Sequence, residues 1–204
     1  MINSVLIAGI ALSAIFVSMY DFDDAYAAVF AKYDGIDGEA TNETADPGNE
    51  DGWISLLSFD WGVTQPEAGA SGQSRRRGSA VVEDVTISME YEKSSPKLQE
   101  ASLTGKVIPK VDVYLTKQVP CTPEPRDGIP EAGELCEVAY LKYEFKNVLV
   151  SSYQTSWAEP DEIPEVVTGN NFEEITVTYT EYDDDTGKNK GNVETTWKVE
   201  KGTK

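Results

Sequence analysis

Residues 85–116 decide the fold. Val85-Thr86-Ile87-Ser88-Met89-Glu90-Tyr91 comes first, then Ser95-Pro96-Lys97-Leu98 leading to Ala101 and Gly105, then Val111-Asp112-Val113-Tyr114-Leu115-Thr116. In the first and last runs apolar residues alternate with mostly polar ones, the period-two pattern of strands with one buried face. Between them Ser95 suits an N-cap, Pro96 the first helical position and Gly105 a left-handed C-cap, with Leu98 and Ala101 as the apolar face of one short helix. Strand, helix, strand is the local order.

The same alternation recurs on both sides. Leu141, Tyr143 and Phe145 alternate with Lys142, Glu144 and Lys146. Ile175, Val177 and Tyr179 alternate with Thr176, Thr178 and Thr180, and a final strand takes Val193, Thr195, Trp197 and Val199. With Val29–Tyr33 and Ile54–Val63, the pattern predicts a mainly β domain, an antiparallel β-barrel or tightly packed sandwich of about seven to nine strands with one short α-helix. Long connections are expected at 40–52, 64–78, within 121–136, and at 158–171, where contact functions tend to sit.

The composition narrows the function classes. The 204 residues hold 17 basic and 36 acidic side chains, for a net charge of -19, and no histidine. So acidic a chain repels phosphate backbones and anionic lipid heads, which argues against nucleic acid as a partner. Without histidine the Ser/His and Cys/His nucleophile pairs are missing, and no catalytic, cofactor-binding or metal-ligating set is nominated. The expectation is a protein that is not an enzyme and carries no cofactor.

An uncharged apolar run, Val5–Val17, precedes Ala25-Tyr26-Ala27-Ala28, whose small residues suit signal peptidase cleavage before Ala28. Residues 1–27 are therefore read as a signal peptide or an uncleaved membrane anchor, the only membrane contact expected, and 28–204 as the domain. The two cysteines, Cys121 and Cys136, bracket an insert rich in proline and glycine. In an exported chain they read as a disulfide worth about 3 kcal/mol, and in a reducing compartment as two free thiols. Together these features place the protein outside the cell or on its surface.

Three further motifs have competing readings. Asp183-Asp184-Asp185-Thr186-Gly187-Lys188-Asn189 has the look of a calcium loop, but Gly187 offers no side-chain oxygen and Lys188 stands where the loop needs glycine, so a polar hairpin turn fits better. Asn42-Glu43-Thr44 matches a glycosylation sequon. The aromatic residues Trp53, Phe59, Trp61, Tyr91, Tyr143, Tyr179 and Trp197 fall at strand spacing and read as core, while Trp157 beside Pro160 reads as exposed. A monomeric secreted β-domain that binds carbohydrate or a surface partner is the alternative function on these grounds.

One further set of residues adds a resemblance. Asp34-Gly35-Ile36-Asp37-Gly38-Glu39, then Trp53-Ile54-Ser55-Leu56-Leu57-Ser58-Phe59-Asp60-Trp61-Gly62-Val63, Arg75-Arg76-Arg77-Gly78-Ser79 and Ser95-Pro96-Lys97-Leu98 occur in an order and spacing that resembles the haemolysin-coregulated protein family of type VI secretion. The resemblance implies a β-barrel with one helix that forms hexameric rings, which stack into a hollow tube and travel with secreted effector proteins. It also implies that the loop holding Gln65, Pro66, Gly69, Gly72, Arg75, Arg76 and Arg77 contacts the next ring. The export signal, the cysteine-closed insert and the acidity depart from that family's usual pattern.

Overall fold

A computed structural model describes residues 27–42, 51–65, 67–68, 76–77, 80–121, 135–160 and 162–199. The expected signal segment, the sequon beyond Asn42 and most of the cysteine insert lie outside the described residues. In chain order the elements are β1 (Val29–Tyr33), β2 (Ile54–Ser55), β3 (Ser58–Asp60), β4 (Val63–Thr64), β5 (Glu67–Ala68), β6 (Arg76–Arg77), β7 (Val81–Val82), β8 (Val85–Glu90), α1 (Ser95–Thr104), β9 (Val107–Pro120), β10 (Leu135–Ser156), β11 (Glu165–Asn171), β12 (Glu174–Tyr182) and β13 (Asn189–Lys198). Nine of the strands form one antiparallel sheet.

The 22-residue β10 organises it. One edge of β10 pairs with β9, while the other pairs with β12 over Leu141–Lys146 and with β11 over Leu149–Ser156. Where partners change, Asn147 takes a positive φ of 52° and Phe172 turns its ring into the core. The sheet thus divides into a layer β2-β1-β9-β10-β12-β13 and an arm β11-β8-β3 that folds over it. The sheet is not closed, although its two ends, β2 and β3, belong to one chain segment. Leu56 N–H donates to Val29 on one side at 2.9 Å, and Leu57 N–H to Ser88 on the other at 2.8 Å.

Between layer and arm lies the apolar core, where Phe145 meets Phe172 at 4.9 Å between ring centroids and Phe59 leans on Tyr143 at 5.0 Å. Helix α1 buries Leu98 and Ala101 against the core and ends at Gly105, φ 64°, in the expected left-handed conformation. Its start differs by one position. Ser94 is the capping residue, and Ser95 Oγ instead accepts the Glu92 N–H at 3.0 Å.

Three other expectations are corrected. The single strand expected over Ile54–Val63 is three short ones, because it must pair with β1, then with β8, then with β7. The connection expected over 158–171 ends in β11, whose Asn170 is buried yet satisfied. It accepts from Tyr33 OH at 3.2 Å, and its amide donates to Thr168 Oγ1 at 3.0 Å. Tyr91, Tyr179 and Trp197 are exposed rather than core: Tyr91 follows the end of β8, and Tyr179 and Trp197 lie on the β12–β13 hairpin, which the arm does not pair with; Trp53 is buried, and Trp157 is exposed.

Candidate functional site

Pairing across the layer places side chains in rows on the face turned away from the core. One row runs Ser55, Phe30, Tyr114, Lys142, Thr178, Glu194; the next Lys32, Asp112, Glu144, Thr176, Thr196; the third Lys110, Lys146, Glu174, Lys198. Opposite charges meet along and between these rows. Lys110 Nζ lies 2.7 Å from Asp112, Lys146 Nζ 2.7 Å from Glu174, and Lys198 Nζ 3.4 Å from the same Glu174. The Asp112 carboxylate holds Lys110 above the usual lysine range. The Lys146 hydrogen bond holds Glu174 below the usual carboxylate range, and Glu174 in turn raises Lys146. On Lys142 burial pulls downward, but Tyr114, Asp112 and Glu144 outweigh it. Five lysines stand against four acids on this face, in a chain whose net charge is -19. The excess negative charge therefore lies elsewhere.

Outside the main sheet lies a ribbon of two short strand pairs. Val63 pairs with Val82 and Thr64 with Val81, then Glu67 with Arg77 and Ala68 with Arg76, and none of these strands joins the main sheet. Val63 and Val81 are about half exposed at its base, at 54% and 52%. The ribbon carries three of the residues expected to make contacts, Gln65 beside β4 and Arg76 and Arg77 on β6. Pro66, Gly69, Gly72 and Arg75 lie outside the described residues.

Cys121 and Cys136 are joined by a disulfide between the close of β9 and the start of β10. The turn between β12 and β13 docks beside it. Lys117 Nζ is 3.6 Å from Asp184 and 5.9 Å from the ring centroids of both Tyr140 and Tyr182. Gly187, φ 65°, leaves no room for a Cβ, which would collide with the Pro120 carbonyl. Within the turn Asp183 Oδ1 accepts the Thr186 N–H and hydroxyl, each at 2.9 Å, and Oδ2 pairs with Lys190 at 2.9 Å. Those bonds, Lys190 foremost, pull Asp183 down to about 2. The carboxylate nearest in pattern to a calcium ligand is therefore committed to holding its own hairpin.

Among the described residues no group of His, Cys, Asp or Glu is arranged to hold a metal, and no helix is long and apolar enough to cross a membrane. The exposed apolar side chains are spread over the surface, from Leu103 on α1 to Leu135 at the start of β10. Tyr179, Val193 and Trp197 lie on β12 and β13, and Leu57 and Ile163 lie near β2 and β11. Sequence reading missed the charged rows, although opposite charges at alternate positions in Lys110-Val111-Asp112 and Lys142-Tyr143-Glu144-Phe145-Lys146 carry the signal for cross-strand pairing.

Comparison with known proteins follows the geometry. The family described as "Type VI secretion system effector, Hcp" matches residues 30–183. A solved type six secretion system protein is 24% identical with a TM-score of 0.67, over 85% of this chain and 96% of its own. Hcp1 from Salmonella typhimurium is 21% identical with a TM-score of 0.58, over 84% and 94%. A type VI secretion system effector from Yersinia pestis is 21% identical with a TM-score of 0.56, over 84% and 99%. No curated protein matches the chain.

Proposed function

Because the chain belongs to the Hcp family of type VI secretion, which matches it from residue 30 to residue 183, we propose that it is a structural tube subunit whose hexameric rings stack into a hollow tube. The observation that supports this reading is the ribbon of β4–β7 and β5–β6, whose strands pair with each other and not with the main sheet. A ring of identical subunits needs two unlike faces per copy, and stacking of rings needs a third contact. We assign the third to the segment of Gln65, Pro66, Gly69, Gly72, Arg75, Arg76 and Arg77. A basic triplet in a chain of net charge -19 suits docking on an acidic face of the next ring.

Export belongs to the same reading. Residues 1–27 direct the chain out of the cytoplasm or anchor it, and the Cys121–Cys136 bridge stabilises the insert outside the cell, so the assembly works as a secreted or surface structure with effector proteins as its passengers. The test is light scattering and negative-stain imaging of the full chain expressed through an export pathway and purified oxidised. Six-fold rings with a central hole are expected, and changing Arg76 and Arg77 to Glu should leave rings but abolish stacks. A monomer over a wide concentration range would overturn the assembly and favour a monomeric secreted module that binds carbohydrate or a surface partner.

A further inference from the structure

We propose that the basic segment Arg75, Arg76 and Arg77 of one copy docks in the depression lined by Leu57 and Ile163 on the copy stacked against it, with Glu90, Glu162 and Glu165 as its counter-charges. This rests on the tube reading above and names the surface that receives the ribbon. The β3–β8 pair and the ribbon are successive parts of one hairpin. Ser58 pairs with Ser88 and Asp60 with Thr86, and Glu83 N–H then donates to Gly62 at 3.0 Å. Pairing goes on through Val63 with Val82 and Thr64 with Val81 to Ala68 with Arg76. The two ends of this hairpin differ in charge. Residues 64–79 hold three arginines against the single acid Glu67, in a chain of net charge -19. They are three of the chain's four arginines and its only run of three basic residues.

The acidic end is the root. Leu57 N–H donates to Ser88 and Tyr91 N–H to Pro164, each at 2.8 Å, which brings Leu57, the close of β8 and the start of β11 together. There Leu57, 60% exposed, and Ile163, 48% exposed, line one open depression with Glu90, Glu162 and Glu165. Glu90 stands directly opposite Glu165 across β8 and β11, and like charges so placed repel each other. All three carboxylates are exposed, and none forms an ion pair among the described residues. Arginine suits such an apolar floor and acidic rim, because its stem covers apolar surface while its planar fork pairs with carboxylates. No described residue of the ribbon lines the depression of its own copy. Basic segment and depression lie at opposite ends of one hairpin, so their contact runs head-to-tail from copy to copy, the kind that repeats along a stack.

Charge reversal tests the pairing, in negative-stain imaging and light scattering of the exported, oxidised full chain, with an unchanged thermal midpoint as the check on folding. The chain carrying Glu90→Lys, Glu162→Lys and Glu165→Lys is expected to form rings that no longer stack, and Glu162→Lys alone to shorten the stacks. Each of these changes lowers the net negative charge, so general repulsion between copies falls and does not account for lost stacks. The chain carrying Arg75→Glu, Arg76→Glu and Arg77→Glu should likewise form rings without stacks. Combining all six changes in one chain should restore stacking, because the signs are exchanged across the same contact. Stacks that persist in the Glu→Lys chains but vanish in the Arg→Glu chain would overturn this surface and leave the ribbon as the stacking contact. A natural chain whose rings never stack would overturn the tube reading and this pairing with it.

Discussion

Tyr33 ties the stability of the core to alkaline pH. It is 1% exposed, its hydroxyl donates to Asn170 Oδ1 at 3.2 Å, and burial, opposed by the Thr168 and Asn170 hydrogen bonds, pushes its ionisation up to about 12. In the unfolded chain a tyrosine ionises near 10, so between the two values the folded state holds the proton more tightly. Stability is therefore intact below pH 10 and falls as pH rises toward 12, by about 3 kcal/mol for a shift of this size. Chemical denaturation at pH 8, 10 and 11.5 should show that loss, and Tyr33→Phe should flatten it. Gly38 is constrained by space rather than by backbone angle. A Cβ there would strike the Trp53 carbonyl, where Gly38 N–H already donates to Gly52 at 2.9 Å and Ala40 pairs with Trp53. Gly38→Ala is expected to cost about 1–3 kcal/mol as an overpacking change, read as a lower denaturation midpoint with unchanged slope.

At the scale of elements, the strands with clean alternation were legible in the sequence. Val85–Glu90, the centre of β9 and the Leu141–Phe145 stretch of β10 show it, because one face turns toward the core and the other away from it. β11 was not legible. Its Thr168-Gly169-Asn170-Asn171 reads as loop, yet Gly169 makes room for Ser152 Oγ at the β10 bulge, and Asn170 exchanges its water for Tyr33 and Thr168. Those compensations depend on residues far away in the chain. The site was legible to the same degree: the sequence marked the basic ribbon and the cysteine pair, but the exposure of Tyr179 and Trp197 depends on which strands the arm pairs with. The β9–β10 end and the β12–β13 turn depend on each other through Lys117, Tyr182 and the close approach of Gly187 to Pro120. Reducing Cys121–Cys136, or changing both to Ser, should lower stability by about 3 kcal/mol in the chain-entropy model. Hydrogen exchange should then quicken at Gln118–Val119 and in the 183–188 turn before it does in β8 or β11. Uniform quickening throughout would mean that the two ends are not coupled.

For the whole molecule the decisive quantity is its net charge of -19. Copies brought together in a ring repel one another through that field, and any close ion pair between copies opposes it only locally. Exposed rim pairs contribute about 0–1 kcal/mol each. The repulsion acts across whole subunits, so it follows the screening length, which shrinks from about 30 Å at 0.01 M salt to about 8 Å at 0.15 M. The two contributions thus respond to salt in opposite directions, and the one that acts over the longer distance loses more. Since the neutralised rows of the layer leave the negative excess on the remaining surfaces, raising salt from 0.01 M to 0.15 M is expected to strengthen assembly. Sedimentation velocity at fixed protein concentration checks this as a shift from monomer toward ring. Dissociation on adding salt would mean that close ion pairs, not apolar contact, hold the copies together.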